Sequence, residues 1–209
     1  MSTPFFRISD KNKKKLFTLL EAHIYTFDIG KNILSILKND NVVAIIDEGF
    51  AEIIRTNYDG NRSIIDELSK DSVFGTAISS INSSEYEIIT KEKTTIIVID
   101  YDRLLNNRNT KYEYYNIFIQ NLLSIINHSI KMKNERIRVL TKRSIRNKLL
   151  EYFEVYQSNN HSKYIYLPFS FTELADYLAI DRCAMTRELK YMKEEGFIEI
   201  KGKRITILY

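Results

Sequence analysis

The 209-residue chain has one cysteine, Cys183, three histidines and six glycines. A single thiol cannot build a disulfide framework or hold a four-cysteine iron–sulfur cluster within one chain, and it fits a reducing cytoplasm. His23, His128 and His161 are widely separated and have no partners at ligand spacing, so they read as ordinary surface or core histidines rather than metal or haem ligands. The glycines form no phosphate-binding loop, and there is no zinc-spaced histidine pair and no serine–glycine nucleophile motif. An enzyme is therefore not expected, and neither is a cofactor. No apolar run reaches the roughly 18 residues of a membrane span. No secretory signal is visible at the N-terminus. The expectation is a cytoplasmic protein with no membrane partner.

The stretch from Pro168 to Ile200 is the most informative one present. Ser170 is followed three residues later by Glu173, the spacing of a capping box, and Phe169 and Leu174 stand where a hydrophobic staple would be. A helix should begin at about Phe171, with Leu174, Ala175 and Leu178 facing inward. Asp181 is suited to cap a second helix. That helix carries Met185, Leu189 and Met192 as one buried stripe, and Gly196 should stop it. Its other face holds Arg182, Cys183, Thr186, Arg187 and Lys190, with Glu188, Glu194 and Glu195 later or to the side. Such a face suits a helix in the major groove: arginine can bond both acceptors of a guanine edge, and hydroxyls and lysines serve bases or phosphates.

The rest of the chain divides by period. Residues 1 to about 20 look helical and polar. From about Ala22 to Tyr101 the period is two, with runs such as Val42–Asp47, Ala51–Thr56, Ser63–Leu68 and Thr94–Ile99, and Asp59-Gly60 marks a hairpin. These argue for a β-sandwich or β-roll, either hollow enough for a small ligand or packed shut. From about Thr110 to Leu140 the pattern is one long helix. Ile119, Leu123, Ile126, Ile130, Lys133, Ile137 and Leu140 make a coiled-coil seam, while Tyr115, Phe118, Leu122 and Ile125 make a second stripe. One stripe can cover the roll while the other meets a partner chain, so a parallel homodimer is expected. Residues 142–157 form another helix, with Ile145, Leu149, Leu150 and Phe153 inward, then a loop at Ser158-Asn159-Asn160 and a short strand at Tyr164–Leu167. Ile198 and Ile200 answer Ile205 and Ile207 across Lys201-Gly202, a hairpin wing with Lys201, Lys203 and Arg204 at its tip.

The net charge of +4 is only mildly basic, and its distribution says more. Lys131, Lys133, Arg136, Arg138, Lys142, Arg143, Arg146 and Lys148 crowd one region, with Glu135 the only acid among them. The run reads either as phosphate-facing charge or as a solvated helix face.

The pattern S-x-x-E-L-A-x-x-L, a short turn, then R-x-x-x-x-R-E-L-K and G-x-I resembles the DNA-binding end of the Crp/Fnr family of bacterial transcription regulators. The resemblance extends over nearly the whole chain. Asp47-Glu48-Gly49, Tyr58-Asp59-Gly60-Asn61 and Asp71-Ser72-Val73-Phe74-Gly75 look like the family's cyclic-nucleotide-binding-type fold. The resemblance implies an α+β protein of three parts. Residues 1–107 would be a double-stranded β-roll (a cupin-like jelly roll), 108–141 a dimerisation helix, and 142–209 a winged helix-turn-helix. Arg187 falls where the family commonly has an arginine that reads guanine. Arg182 falls where cyclic-AMP-responsive members have another arginine, and Cys183 where they have a glutamate, so the operator should differ from theirs. Ala179 stands where a glycine is common in the turn, and a left-handed backbone there would cost an alanine roughly 1 kcal/mol. In nucleotide-binding members a glutamate follows the last glycine and an arginine–serine pair comes later. Here Thr76 follows Gly75, the later segment is Ser83-Ser84-Glu85-Tyr86, and no arginine occurs between Arg62 and Arg103. A phosphate would meet Glu85 instead of a cation, so binding of cyclic AMP by the usual cassette is not expected.

The function implied is sequence-specific regulation of transcription, by a homodimer on palindromic double-stranded DNA. Arg182, Cys183, Thr186, Arg187 and Lys190 would read the site, and Ser170, Lys142, Arg143, Lys201, Lys203 and Arg204 would position the protein. Dimerisation would use Ile119, Leu123, Ile126, Ile130, Ile137 and Leu140. An unidentified small-molecule effector would lie near Phe74, Gly75, Thr76 and Tyr86, and RNA polymerase is a further partner the resemblance admits. Two other readings remain: a regulator without an effector, whose roll is only a platform, and a thiol switch in which oxidation of Cys183 blocks the DNA face.

Overall fold

The computed structural model describes residues 3–37, 41–56, 62–78, 85–162, 164–167 and 170–208. It divides into two compact units, Met1–His128 and Ser129–Tyr209.

In the first unit, helix α1 (Asp10–Leu20) leads into strand β1 (His23–Phe27) and a one-turn helix α2 (Leu34–Leu37). Strands β2 (Val42–Glu48), β3 (Ala51–Thr56), β4 (Arg62–Leu68), β5 (Val73–Phe74), β6 (Tyr86–Thr90) and β7 (Thr94–Asp100) follow, then a short helix α3 (Tyr101–Leu104). The long helix α4 (Glu113–Leu140) begins in this unit and ends in the second. The strands form two antiparallel sheets, ordered β1-β7-β2-β5 and β4-β3-β6, which is the expected roll. β3 and β4 pair as a hairpin with a bulge between Ile53 and Ile54. Its Asp59-Gly60 turn, Tyr58 and Asn61 lie outside the described residues, as do Ser83 and Ser84.

The core between the sheets holds Val42, Ala44, Ile46, Ile96 and Val98 from one sheet and Ala51, Ile53, Leu68 and Ile88 from the other. The period of two fails in β2 and β7, where Val42–Ile46 and Ile96–Ile99 are buried without a break. The reason is a second core on the other side of the same sheet: Val43, Ile45, Ile97 and Ile99 pack under Leu16 and Leu20 of α1 and Tyr115, Phe118 and Leu122 of α4. A strand covered on both faces has no polar side to alternate with. The expected second stripe of α4 is thus the one that covers the roll. The lead-in segment is tied down as well, because the Asn121 side chain donates to the carbonyls of Pro4 and Phe6 (3.1 and 2.8 Å).

In the second unit, helix α5 (Ile145–Asn160) is followed by strand β8 (Tyr164–Tyr166), helices α6 (Phe171–Tyr177) and α7 (Arg182–Glu194), and strands β9 (Ile198–Lys201) and β10 (Arg204–Ile207). The strands form a β8-β10-β9 sheet in which Ile200 faces Ile205 and Ile198 faces Ile207, the expected wing. One core joins Leu149 and Phe153 of α5, Leu174, Ala175 and Leu178, Met185, Leu189 and Met192 of α7, and Ile198 and Ile205 of the sheet. The loop expected at Ser158-Asn159-Asn160 is instead the last turn of α5, closed by His161 in a left-handed conformation (φ 48°). The two asparagines find partners there: Asn160 donates to the Tyr156 carbonyl (2.8 Å) and Asn159 to Glu135 (2.8 Å).

Candidate nucleic-acid interface

The geometry of α6 and α7 follows from local chemistry. Ser170 and Glu173 form a complete capping box at the start of α6. The Asp181 carboxylate accepts the Ala184 N–H (2.8 Å) at the start of α7. Pro168 lies outside the described residues, as does Phe169, the other half of the expected staple. Between the helices, Ala179 has φ 50°. Its N–H donates to Asp176 and the Ile180 N–H donates to Ala175, so the chain turns as a Schellman motif through a non-glycine residue. The left-handed conformation costs an alanine roughly 1–2 kcal/mol, against about 0.4–1 kcal/mol that a glycine would lose by a freer unfolded chain. Ala179→Gly should therefore stabilise the protein by up to about 1 kcal/mol. A raised urea midpoint at unchanged slope would show it, and an unchanged or lowered midpoint would refute it. α7 ends the same way: Gly196 has φ 75°, and the Phe197 N–H donates back to Met192 (2.9 Å).

With Met185, Leu189 and Met192 buried, the opposite face of α7 is left to solvent. Arg182, Cys183, Thr186, Arg187 and Lys190 are all exposed there and lie together on that one face. The Thr186 hydroxyl donates to the Arg182 carbonyl (2.9 Å), which holds it against its own helix. Lys190 lies 3.7 Å from Glu194, with both side chains well exposed. Of the wing residues, Lys203 is exposed, Lys201 pairs with Glu199 (2.7 Å), and the Arg204 guanidinium lies over the Tyr164 ring (5.3 Å). Ser170 spends its hydroxyl on the cap of α6.

Much of the basic run has partners within the fold. Arg138 and Lys142 share Glu151 (2.5 and 2.8 Å), and Arg146 spans Glu188 and Glu195 (2.5 and 2.7 Å). Lys148 donates to the Leu178 carbonyl at the end of α6 (3.0 Å), and Arg136 lies over the Tyr177 ring (5.1 Å). Lys131 reaches Asn159 (3.2 Å) and Glu135 (3.7 Å), while Arg143 is exposed. The two acids that hold Arg146 lie 42 and 49 residues away in sequence, so no count of neighbouring charges could find them. Sequence reasoning missed the double attachment of Arg146 for this reason; it missed Glu151, just past the basic run, because the turn from α4 into α5 is what brings that carboxylate to Arg138 and Lys142.

The partners hold several carboxyls below their ordinary value. Lys142 does so for Glu151, Arg146 for Glu195, Lys201 for Glu199, and the Ser170 N–H for Glu173. A group whose folded value is depressed stabilises the fold above its unfolded value, here 4.5, and loses that contribution as pH falls through the depressed value. Thermal stability of the whole chain should therefore hold down to about pH 5 and fall below it. Glu151→Gln should blunt the fall. A variant with the same acid limb as the parent would remove Glu151 from the account.

On the roll, the residues expected around an effector serve the fold itself. Phe74 is buried in the core between the sheets. Gly75 has φ 131°, and a Cβ there would lie 2.3 Å from the Val42 carbonyl oxygen. The Thr76 hydroxyl accepts the Val42 N–H (3.1 Å), and Tyr86 is half-buried against the core. Glu85 pairs with Arg55 (3.2 Å). Along α4, Ile119 packs toward the roll, Ile126 and Leu140 are half-buried, and Leu123, Ile130 and Ile137 are exposed. No helix among the described residues is long and apolar enough to cross a membrane.

Residues 27–110 match the cyclic nucleotide-binding domain, and residues 145–209 match the Crp-like helix-turn-helix domain. No curated protein matches the chain. Among solved structures, a cyclic nucleotide-binding domain containing protein from Listeria monocytogenes is 19% identical with a TM-score of 0.56, over 95% of this chain and 98% of that one. A CooA variant from Carboxydothermus hydrogenoformans is 16% identical with a TM-score of 0.56, over 98% and 95%. The catabolite activator protein of Thermus thermophilus is 14% identical with a TM-score of 0.51, over 98% and 93%.

Proposed function

The chain belongs to the Crp/Fnr family of transcription regulators, and from that premise we propose that it recognises a palindromic operator as a homodimer, with α7 in the major groove. The observation that carries this reading is the outer face of α7. Two arginines, a lysine and a threonine stand exposed together on one face, and the acids at Glu188 and Glu195 are turned to Arg146. In this reading residues 1–107 are the sensor domain, 108–141 the dimerisation helix and 142–209 the DNA-binding domain. Arg182, Thr186 and Arg187 read base edges, beside Cys183 and Lys190. Arg143, Lys203 and Arg204 meet phosphates, and two α7 helices enter grooves roughly 34 Å apart. The protein works in the cytoplasm on double-stranded DNA, and RNA polymerase is its further partner where it activates.

The test is a gel-shift selection from random duplexes at fixed salt, using the purified protein without added ligand. Recovery of an imperfect palindrome is the expected result. Weak, salt-sensitive binding with no consensus would mean the resting dimer is wrongly set, and binding to no duplex under any ligand would overturn the reading.

The roll supports a regulator that does not respond to cyclic AMP by the usual cassette. Thr76 serves the Val42 amide, and Glu85 neutralises Arg55, where a phosphate would need a free cation. The same packing favours the platform reading of the roll over an effector pocket at Phe74, Gly75 and Thr76. Isothermal titration should find no cyclic AMP binding, and micromolar binding would sink this part of the proposal.

A further inference from the structure

We propose that Arg146 is the positioning residue of the recognition helix: one guanidinium on α5 clamps α7 at two points and sets the rotation at which its outer face meets a base edge. The inference rests on the DNA-binding reading above and adds a residue that touches no base.

The Arg146 Nε donates to Glu188 (2.5 Å), and its two terminal nitrogens donate to the two oxygens of Glu195 (2.7 and 2.9 Å). The face of the same guanidinium lies over the Phe197 ring (5.7 Å). Glu188 is in the middle of α7, Glu195 caps its C-terminus, and Phe197 follows the Gly196 turn into the wing. The two glutamates are seven residues apart, about two turns, so they lie on one side of the helix. A cation joined to both resists rotation of α7 about its axis and swing of its far end.

The apolar contact of α7 does not supply this control by itself. Two of its three fully inward residues are methionines, Met185 and Met192. Unbranched, flexible side chains fill space well and specify rotation poorly. At a radius of roughly 6 Å, a rotation of α7 by about 20° carries a base-reading atom about 2 Å. That is enough to break a hydrogen bond, which fails beyond about 3.5 Å. α5 itself is a firm base for the clamp: Ser144 caps it, and Lys148, one turn along from its start, holds the end of α6. Only arginine suits the task, because its planar fork spans two carboxylates where lysine offers a single point charge.

The experiment compares the full-length protein with Arg146→Lys and Arg146→Ala. It measures affinity for the selected operator and for random duplex at one salt concentration, alongside thermal unfolding. Arg146→Lys should unfold cooperatively and bind random duplex as the parent does, while operator affinity falls about ten-fold or more. Glu188→Gln and Glu195→Gln, which keep an acceptor for the fork, should fall between the two. Parental discrimination in Arg146→Lys would overturn the inference. So would a parallel loss of operator and random binding in every variant, which marks a merely structural role. A parent protein that selects no operator would instead overturn the DNA-binding reading, and this inference with it.

Discussion

Glutamate at both Ile130 and Ile137 should dissolve the proposed dimer and abolish high-affinity operator binding. α4 carries two apolar stripes, and the roll covers one of them and Ile119 of the other. Tyr115, Phe118 and Leu122 are buried against the β2–β7 sheet face. On the other stripe Leu123, Ile130 and Ile137 are 54%, 50% and 57% exposed. A row of half-exposed aliphatic side chains at heptad spacing has no use for water, and a second copy of the same helix can cover it. Burying one such isoleucine is worth about 1.5–3 kcal/mol. Each is already about half-buried in the single chain, so two positions in each of two chains put on the order of 3–6 kcal/mol at stake, before like-charge repulsion is added. Because both side chains are exposed in the single chain, the substitutions should leave its folding intact. Light scattering should report a monomer with parental circular dichroism, and gel shifts should show only weak binding to a single half-site. A dimer that persists with parental operator affinity would remove this stripe of α4 as the interface.

The second large effect is expected from Arg187→Ala. Arg187 is exposed on the outer face of α7, beside Arg182, Cys183, Thr186 and Lys190. A bidentate contact to a guanine edge discriminates by about 1–3 kcal/mol, and a palindrome uses it twice. Operator affinity should fall by about 2–6 kcal/mol, roughly thirty-fold to twenty-five-thousand-fold, with preference relaxed at one base pair of each half-site. Lys203→Ala is the control. An exposed wing lysine that meets phosphate should weaken all sequences alike and lower the salt dependence by about one ion. Unchanged base preference in Arg187→Ala would show that Arg187 is not the reader. A sequence-selective loss in Lys203→Ala would show that the wing reads bases.

What the sequence by itself determined is local. The capping box of Ser170 and Glu173, the Asp181 cap, the Gly196 stop, the Met185–Leu189–Met192 stripe and the Ile198–Ile207 hairpin each depend on residues within about ten positions of one another. Their partners were therefore in view before any fold was known. The two stripes of α4 were legible for the same reason, since helical spacing alone sorts them. Tertiary structure decided which stripe is covered, because that depends on α1 and α4 meeting the same sheet face. It also decided that β2 and β7 are buried on both sides, that the last turn of α5 continues through Asn160, and that Phe74, Gly75 and Thr76 serve packing. It decided most of all the fate of the cations. Arg138, Lys142 and Arg146 look like a phosphate-facing run in sequence, yet their charges are taken up by Glu151, Glu188 and Glu195. An ion pair depends on distance in space, and only the folding of α5 against α7 brings Arg146 beside carboxylates 42 and 49 residues away.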